Sequence, residues 1–563
     1  MEKIKLVFVL LFFCILSYYA FSQLAQPLTG IDDANIFFVY ARNLANGHGI
    51  VFFPGSNHVE GITSLLWLLI ITPFFLISNG PEAYIAVVNL LLLCSGFYFF
   101  LDSLDAMLGR QKSSLTIYSG IALLWTLASP TYIIWTTLSL MDIGLWSTVS
   151  LFGAGLLLRA YKNTQAELTL RLKWATYAFL VVAIITRPEG AIVSAIYVIL
   201  LTIRGWSLKQ NLKQAVQKNR FLILFWIFCI AALTIFRQIY FGFPLPNTYY
   251  AKVSPSVSYN LSQGWTYFIR FITSAGLLPM VLGLMVFLIL RGTAKFIQNQ
   301  GISENAEGTL KLLPVLLITV VYLILPILSG GDHFYYFRFY QPAWPFLSLP
   351  VIGLVSISER YSIQKRLFSV WIPVAIAMSL SLLGVSPNWF EFQKAHRISW
   401  EYQVTQLGRS WGEALNIVLA EQPEYPRVGE VAVGGLSYAY KGEVIDLMGL
   451  NNLEMAHSHG DRKGVKNHAA FNKEVFYRQK PDLLLPRIYK DAAFPADFSN
   501  CGESTLQEAL KRLLCEARFG DSYRLARISL SDDGLPMYLF FFVRLDYLPR
   551  MRGIDYAIIS ESH

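Results

Sequence analysis

The sequence predicts a polytopic α-helical membrane protein that carries a C-terminal extracytoplasmic domain of α/β or α+β type. Three observations predict it. Of 563 residues, 54% are hydrophobic and only 15% are charged, against roughly 25% charged in globular domains. The apolar residues gather in runs of near-spanning length. After Pro387 the runs shorten and charge returns, which divides the chain into a membrane part, 1–386, and a soluble part, 387–563. This composition excludes both an ordinary soluble domain and a disordered chain.

The first run, 4–21, begins beside Lys3 and Lys5. Ala20-Phe21-Ser22 resembles a cleavage site, but the many later runs favour an uncleaved first helix that starts in the cytoplasm. Further runs fall at 62–77, 84–101, 115–134, 143–158, 174–186, 191–203, 221–240, 267–290, 312–328, 342–357 and 367–383. In the tail, an amphipathic stretch at 389–420 precedes short apolar runs at 428–433, 444–448, 483–485 and 537–543, so helix and strand alternate there.

Charge orients the bundle. If every run crossed, Arg159/Lys162/Arg171/Lys173 and Arg204/Lys209/Lys213/Lys218/Arg220 would face away from Lys3 and Lys5, against the positive-inside rule. If 62–77 lies in the outer interface or re-enters, the parity shifts by one. Those clusters then fall inside with Arg110/Lys112, Arg291/Lys295/Lys311 and Arg360/Lys365/Arg366. About eleven spans are therefore expected, with the loop 23–82 and the tail outside. The same bias explains the net charge of +9 without any nucleic acid.

The outer connections hold the residues with chemistry. Asp32 and Asp33 stand side by side where an interfacial helix begins, and Asn46-Gly47 suits its end. A capped helix needs only one carboxylate, and a second beside the membrane is costly unless it acts as a base or faces a cation. Glu60 follows in the same loop. Later loops bring Met141-Asp142, Arg187-Pro188-Glu189-Gly190, the stretch Pro246-Asn247-Thr248-Tyr249-Tyr250-Ala251-Lys252, and Gly330-Gly331-Asp332-His333 with Arg338. Arg and Lys among Tyr and Asn at a membrane surface suit a lipid-borne phosphate; the plain alternative is an aromatic belt with snorkelling cations. His333 reads as a hydrogen-bonding loop residue, and His457 and His459 as loop residues without metal spacing. Cys501 and Cys515 alone lie in the tail, where an oxidising compartment permits a disulfide.

These residues together carry a resemblance. Asp32-Asp33, Tyr40-Ala41-Arg42-Asn43-Leu44-Ala45-Asn46-Gly47-His48-Gly49, Glu60-Gly61-Ile62-Thr63, the later loop motifs and Val444-Ile445-Asp446-Leu447-Met448-Gly449-Leu450 resemble the GT-C superfamily of polyprenyl-phosphate-sugar-dependent glycosyltransferases. The branch most resembled is the mycobacterial terminal β-(1→2) arabinofuranosyltransferase. The sequence departs from it at Ser139-Leu140-Met141-Asp142, where a Gly-Leu-Glu type element is expected.

The resemblance implies an inverting transferase in a bacterial cytoplasmic membrane, working on the outer face. It would move a sugar from a polyprenyl phosphate to a hydroxyl of a cell-envelope glycan, lipid or protein. Asp32 or Asp33 would be the base; Arg338, Lys252 and Arg187 would hold the donor phosphate; Glu60, Asn247, Tyr249, Asp332 and His333 would line the substrate site. The family also includes users of a divalent cation, Mg or Mn, for which Asp32, Asp33 and Glu60 would be the ligands; a carboxylate cluster alone does not specify one. The competing class is a transporter or flippase, marked by mid-helix charges and repeated halves. Neither mark is evident in the sequence.

Overall fold

The computed structural model describes residues 2–109, 116–162, 168–207, 211–274, 311–358, 384, 385, 389, 396–460, 462–493, 498, 504–530, 537–551 and 554–559. Helices dominate the first part: α1 (Glu2–Leu24), α2 (Asp32–Ala45), α3 (Leu65–Ile71), α4 (Glu82–Met107), α5 (Ile117–Leu127), α6 (Pro130–Ile133), α7 (Ile143–Lys162), α8 (Leu170–Thr186), α9 (Gly190–Ser207), α10 (Leu212–Lys218), α11 (Arg220–Tyr240), α12 (Asn247–Lys252), α13 (Val257–Ser274), α14 (Leu313–Leu328) and α15 (Leu349–Ser358).

Four helices, α1, α4, α7 and α11, are long and apolar enough to cross a membrane. α7 is buried along most of its length and forms the axis of the bundle. α11 instead turns Phe221, Phe228 and Ile239 outward, 64%, 65% and 80% exposed. An apolar helix that the described residues leave largely uncovered belongs against lipid, and the chain is a polytopic membrane protein with a separate sheet at its C-terminal end.

The helix pattern departs from the sequence reading in several places. The eleven expected spans are not reached among the described residues, where four helices qualify, or five if one bent pair counts as a span. Residues 275–290 and 367–383, with Arg110, Lys112, Lys209, Arg291, Lys295, Arg360, Lys365 and Arg366, lie outside the described residues. The 115–134 run is broken: α5 ends and the segment Pro130–Leu138 leaves at 85°. Ser129 is extended ahead of Pro130, because a residue preceding proline is pushed out of the α region. The 342–357 run opens as a 3-10 helix, Arg338–Ser348, in which Pro342 and Pro345 remove amide donors.

The 62–77 run folds as α3 followed by the 3-10 turn Thr72–Leu76. Seven α and five 3-10 residues extend only about 20 Å, short of a bilayer core. Lys5 is not an exposed interfacial charge: it is buried against Asp105, which also accepts hydrogen bonds from Thr116 and Ser119.

The tail begins with α16 (His396–Val418) and builds a six-stranded sheet from β1 (Val428–Glu430), β2 (Val444–Asp446), β3 (Leu483–Tyr489), β4 (Tyr523–Leu530), β5 (Met537–Arg544) and β6 (Ala557–Ile559). The order is β2-β1-β3-β5-β4-β6, with β1 parallel to β2 and β3 and the remaining pairs antiparallel. α17 (Val433–Ala439) makes the crossover from β1 to β2. β5 is buried on both faces: Leu539, Phe541 and Val543 join the core shared with the membrane part, while Phe540 and Phe542 join the domain's own core. Strand alternation thus lets one strand serve two cores. Cys14, Cys94 and Cys229 are free and Cys515 is disulfide-bonded; Cys501 lies outside the described residues.

Candidate functional site

Two helices side by side bring the halves of the chain together. α2 begins at Asp32, with Ile31 as a cap that offers no side chain. Asp32 therefore does not cap its own helix, as the sequence suggested. Its two carboxylate oxygens accept the amides of Gly434 and Gly435 at 3.0 and 2.8 Å, so it caps α17 instead. Ten residues on, Arg42 donates to the carbonyls of Ser437 and Tyr438, at the other end of α17. An acid at the N-terminus and a base at the C-terminus both favour the macrodipole of α17. Gly434 permits this approach, because a Cβ there would lie 1.9 Å from the Asp32 carbonyl oxygen. Burial, only partly offset by the two amides, raises the Asp32 carboxyl to about 6.

Asp33 faces the opposite way. Its Oδ2 lies 3.2 Å from Arg338 Nη1 and 3.8 Å from Lys252 Nζ. Burial pushes its carboxyl up, but Lys252, Arg338 and His333 outweigh that and hold it below the usual carboxylate range. Arg338 is gripped from its other side by Asp332, through Nε and, at 3.4 Å, Nη2, and its guanidinium lies over Phe334. Tyr336 and Phe337, just before it, take positive φ of 64° and 56°. Two such non-glycine residues in succession are strained backbone, and they aim Arg338 inward.

The tail closes this cluster. Asn467 donates to Asp332 at 2.7 Å and lies 3.1 Å from His333 Nδ1. His468 packs edge-on to His333, and burial, with His333 nearby, lowers it to about 4. Arg187 lies beyond Phe339, which both arginines flank, and donates to Asp142 at 2.9 Å and to Glu189 at 3.3 and 3.2 Å. Asp142 also accepts from Thr63, while its buried Oδ1 has no partner among the described residues.

The structure therefore gathers Asp33, Lys252, Asp332, His333 and Arg338, with Asp32 adjoining and Arg187 one ring away. Three expected site residues make their contacts outside this cluster. Glu60 is buried in a two-pronged pairing with Arg237, Nε and Nη2 both lying within 3.1 Å of its oxygens. Asn247 donates to the carbonyls of Gly449 and Leu450 and so ties α12 to the tail. Tyr249 is 46% exposed and packs against Tyr250. The divalent-cation ligand set does not fit either: Asp32 takes amides, Asp33 faces cations, and Glu60 is saturated by Arg237. Among the described residues no other acidic, His or Cys group gathers for a metal.

One residue escaped the sequence reading. Glu401 on α16 is raised to about 8 by burial and by Asp33, Asp32 and Asp332, partly offset by Arg338. It therefore senses the same cluster. Its only sequence signal was a lone acid on an amphipathic helix, which matches any solvated face.

A cavity of ≈ 560 Å³, lined by none of the cluster residues, separates the loop after α2 from β2; Phe52, Phe53, Phe243, Asn451, Asp446 and Arg427 line it with others. His457 stands at its wall between Phe243 and Tyr250, with rings 3.9 and 4.3 Å away and a buried Nε2 that has no partner among the described residues.

No family profile and no curated protein sequence matches the chain. Three solved structures are similar in outline. The apo Archaeoglobus fulgidus oligosaccharyltransferase shows 11% identity at a TM-score of 0.49, over 96% of this chain and 74% of that one. ArnT from Cupriavidus metallidurans bound to undecaprenyl phosphate shows 12% at 0.47, over 95% and 98%. Archaeal AglB from Archaeoglobus fulgidus, with an inhibitory peptide and a dolichol-phosphate, shows 9% at 0.47, over 98% and 75%. At these identities and scores the similarity assigns no substrate and no activity to this chain.

Proposed function

We propose that this chain is a membrane glycosyltransferase of the GT-C type. It would take a sugar from a polyprenyl phosphate and join it, with inversion, to a hydroxyl of an envelope glycan, lipid or protein. The arabinofuranosyltransferase branch is the finer reading, and it rests on the sequence motifs alone. The observation that carries the proposal is Asp33, a half-buried carboxylate held between Lys252 and Arg338 on the face where the tail docks.

In this reading the acceptor oxygen attacks the anomeric carbon, its proton passes to Asp33, and the bond from that carbon to the phosphate oxygen breaks. Lys252 and Arg338 meet the charge left on the polyprenyl phosphate. The two roles are coupled. Before the donor arrives, the cations suppress the basicity of Asp33; a phosphate that engages them restores it, so the base gains strength when a donor is in place. Asp332 keeps the Arg338 fork oriented throughout. Arg187, already neutralised by Asp142 and Glu189, supports Arg338 through Phe339 rather than meeting the phosphate first. The large cavity under β2, with aromatic faces and amides, suits a saccharide acceptor.

The test is a panel of polyprenyl-phosphate sugars offered to the full-length protein in detergent, read by binding and by release of polyprenyl phosphate on addition of acceptor. Binding of one donor followed by transfer supports the proposal. Vectorial flux in liposomes without transfer would move the chain to the transporter class.

A further inference from the structure

A second cavity, of ≈ 170 Å³, opens where α8, α9, α10 and α11 meet, at the end of α8 remote from Arg187. Lys173 of α8, Arg204 in the last turn of α9 and Lys218 at the end of α10 converge on it, with Thr176, Tyr177 and Asn219. This is a recess and not a loose patch of surface lysines, since Arg204 is 5% and Thr176 1% exposed. The cations at the ends of α9 and α10 also meet the negative ends of two helix dipoles.

The surroundings decide what fills it. Leu170, Trp174, Leu212 and Phe221, on three of the same helices, are 52% to 70% exposed. No described part of the protein covers them, so in a membrane protein they lie against acyl chains. α10 is a short helix held at its start by the reciprocal capping pair Asn211 and Gln214, and its last turn brings Lys218 to the recess. A basic recess bordered by lipid-facing apolar side chains matches one ligand chemistry: a phosphate whose attached chains continue down the helices.

We propose that this cavity binds the phosphate of an anionic bilayer glycerophospholipid, with its acyl chains along α8 and α11. The site is separate from the Asp33 cluster and does not depend on the transferase reading.

The test is native mass spectrometry of the full-length protein exchanged into detergent with either phosphatidylglycerol or phosphatidylcholine. The wild type should retain phosphatidylglycerol roughly tenfold better, and removing each cavity cation should cost about fivefold. Because Arg204 is buried, Lys173→Gln/Lys218→Gln is measured beside the triple variant that adds Arg204→Gln. Lys213→Gln, exposed on α10 and outside the cavity, is the control and should keep the preference. Millimolar inorganic phosphate should leave it standing. Equal retention of both lipids overturns the proposal, as does a preference that survives in the double variant. Displacement by inorganic phosphate also overturns it and marks a soluble-anion site instead.

Discussion

Asp33 Oδ2 and Arg338 Nη1 meet at 3.2 Å across 305 residues of chain, and the contact ties the first turn of α2 to the 3-10 helix that follows the strained loop. Asp32, one residue earlier, points away to the amides of Gly434 and Gly435. Two neighbouring carboxylates thus take different work. One docks the tail on the membrane part, and the other sits among cations.

Arg338 should act on donor affinity. Arg338→Ala removes a charge-assisted fork from a buried site and is expected to weaken polyprenyl-phosphate binding by roughly 1.5 to 3 kcal/mol. Arg338→Lys keeps the charge without the fork and should fall between. Titration of the detergent-solubilised variants with polyprenyl phosphate reads this, and affinity unchanged in Arg338→Ala would remove the phosphate role.

Glu401 gives a pH signature. Its carboxyl is raised from 4.5 to about 8 in the fold, so between those values the native state holds a proton that the unfolded chain has released. Stability should therefore fall as pH rises through that window. Glu401→Gln should flatten the fall and raise the melting temperature at pH 8 more than at pH 5. Thermal melts across pH 5 to 8 check it; parallel curves for wild type and variant would contradict the assignment.

The Glu60 and Arg237 pair should be structural. Both side chains are buried, so Glu60→Gln leaves an uncompensated cation and is expected to cost about 3 to 5 kcal/mol. Glu60→Gln/Arg237→Met should recover much of that loss, because the cation goes with its partner. Chemical denaturation of the three proteins decides. A single variant as stable as wild type, but defective in donor binding, would return Glu60 to the substrate site.

The apolar runs made the membrane part legible, since run length and composition are local properties, and the short strands at 428–433, 444–448, 483–485 and 537–543 were visible as apolar segments between turn residues. β4 was not, because Arg524 and Arg527, three residues apart, interrupt both an apolar run and a strict alternation over Tyr523–Leu530. The cluster of Asp33, Lys252, Asp332, His333 and Arg338 was legible as motifs, each in a separate loop. What escaped was direction. Nothing local in Asp32-Asp33 tells which carboxylate turns toward α17, because its partners lie 402 and 403 residues away. The pairing of Glu60 escaped for the same reason: Arg237 lies inside an apolar run, where a single cation reads as snorkelling and not as the partner of a distant carboxylate.

The central claim is that Asp33, and not Asp32, accepts the acceptor's proton. With the donor from the panel in hand, single-turnover transfer and donor binding are measured for Asp33→Asn and Asp32→Asn side by side. Asp33→Asn should slow transfer by about 10²- to 10⁴-fold while donor binding stays within a few-fold. Asp32→Asn should keep transfer within an order of magnitude and lower the melting temperature, because one amide of α17 loses its acceptor. Wild-type transfer in Asp33→Asn, or loss of transfer in a well-folded Asp32→Asn, would contradict the account.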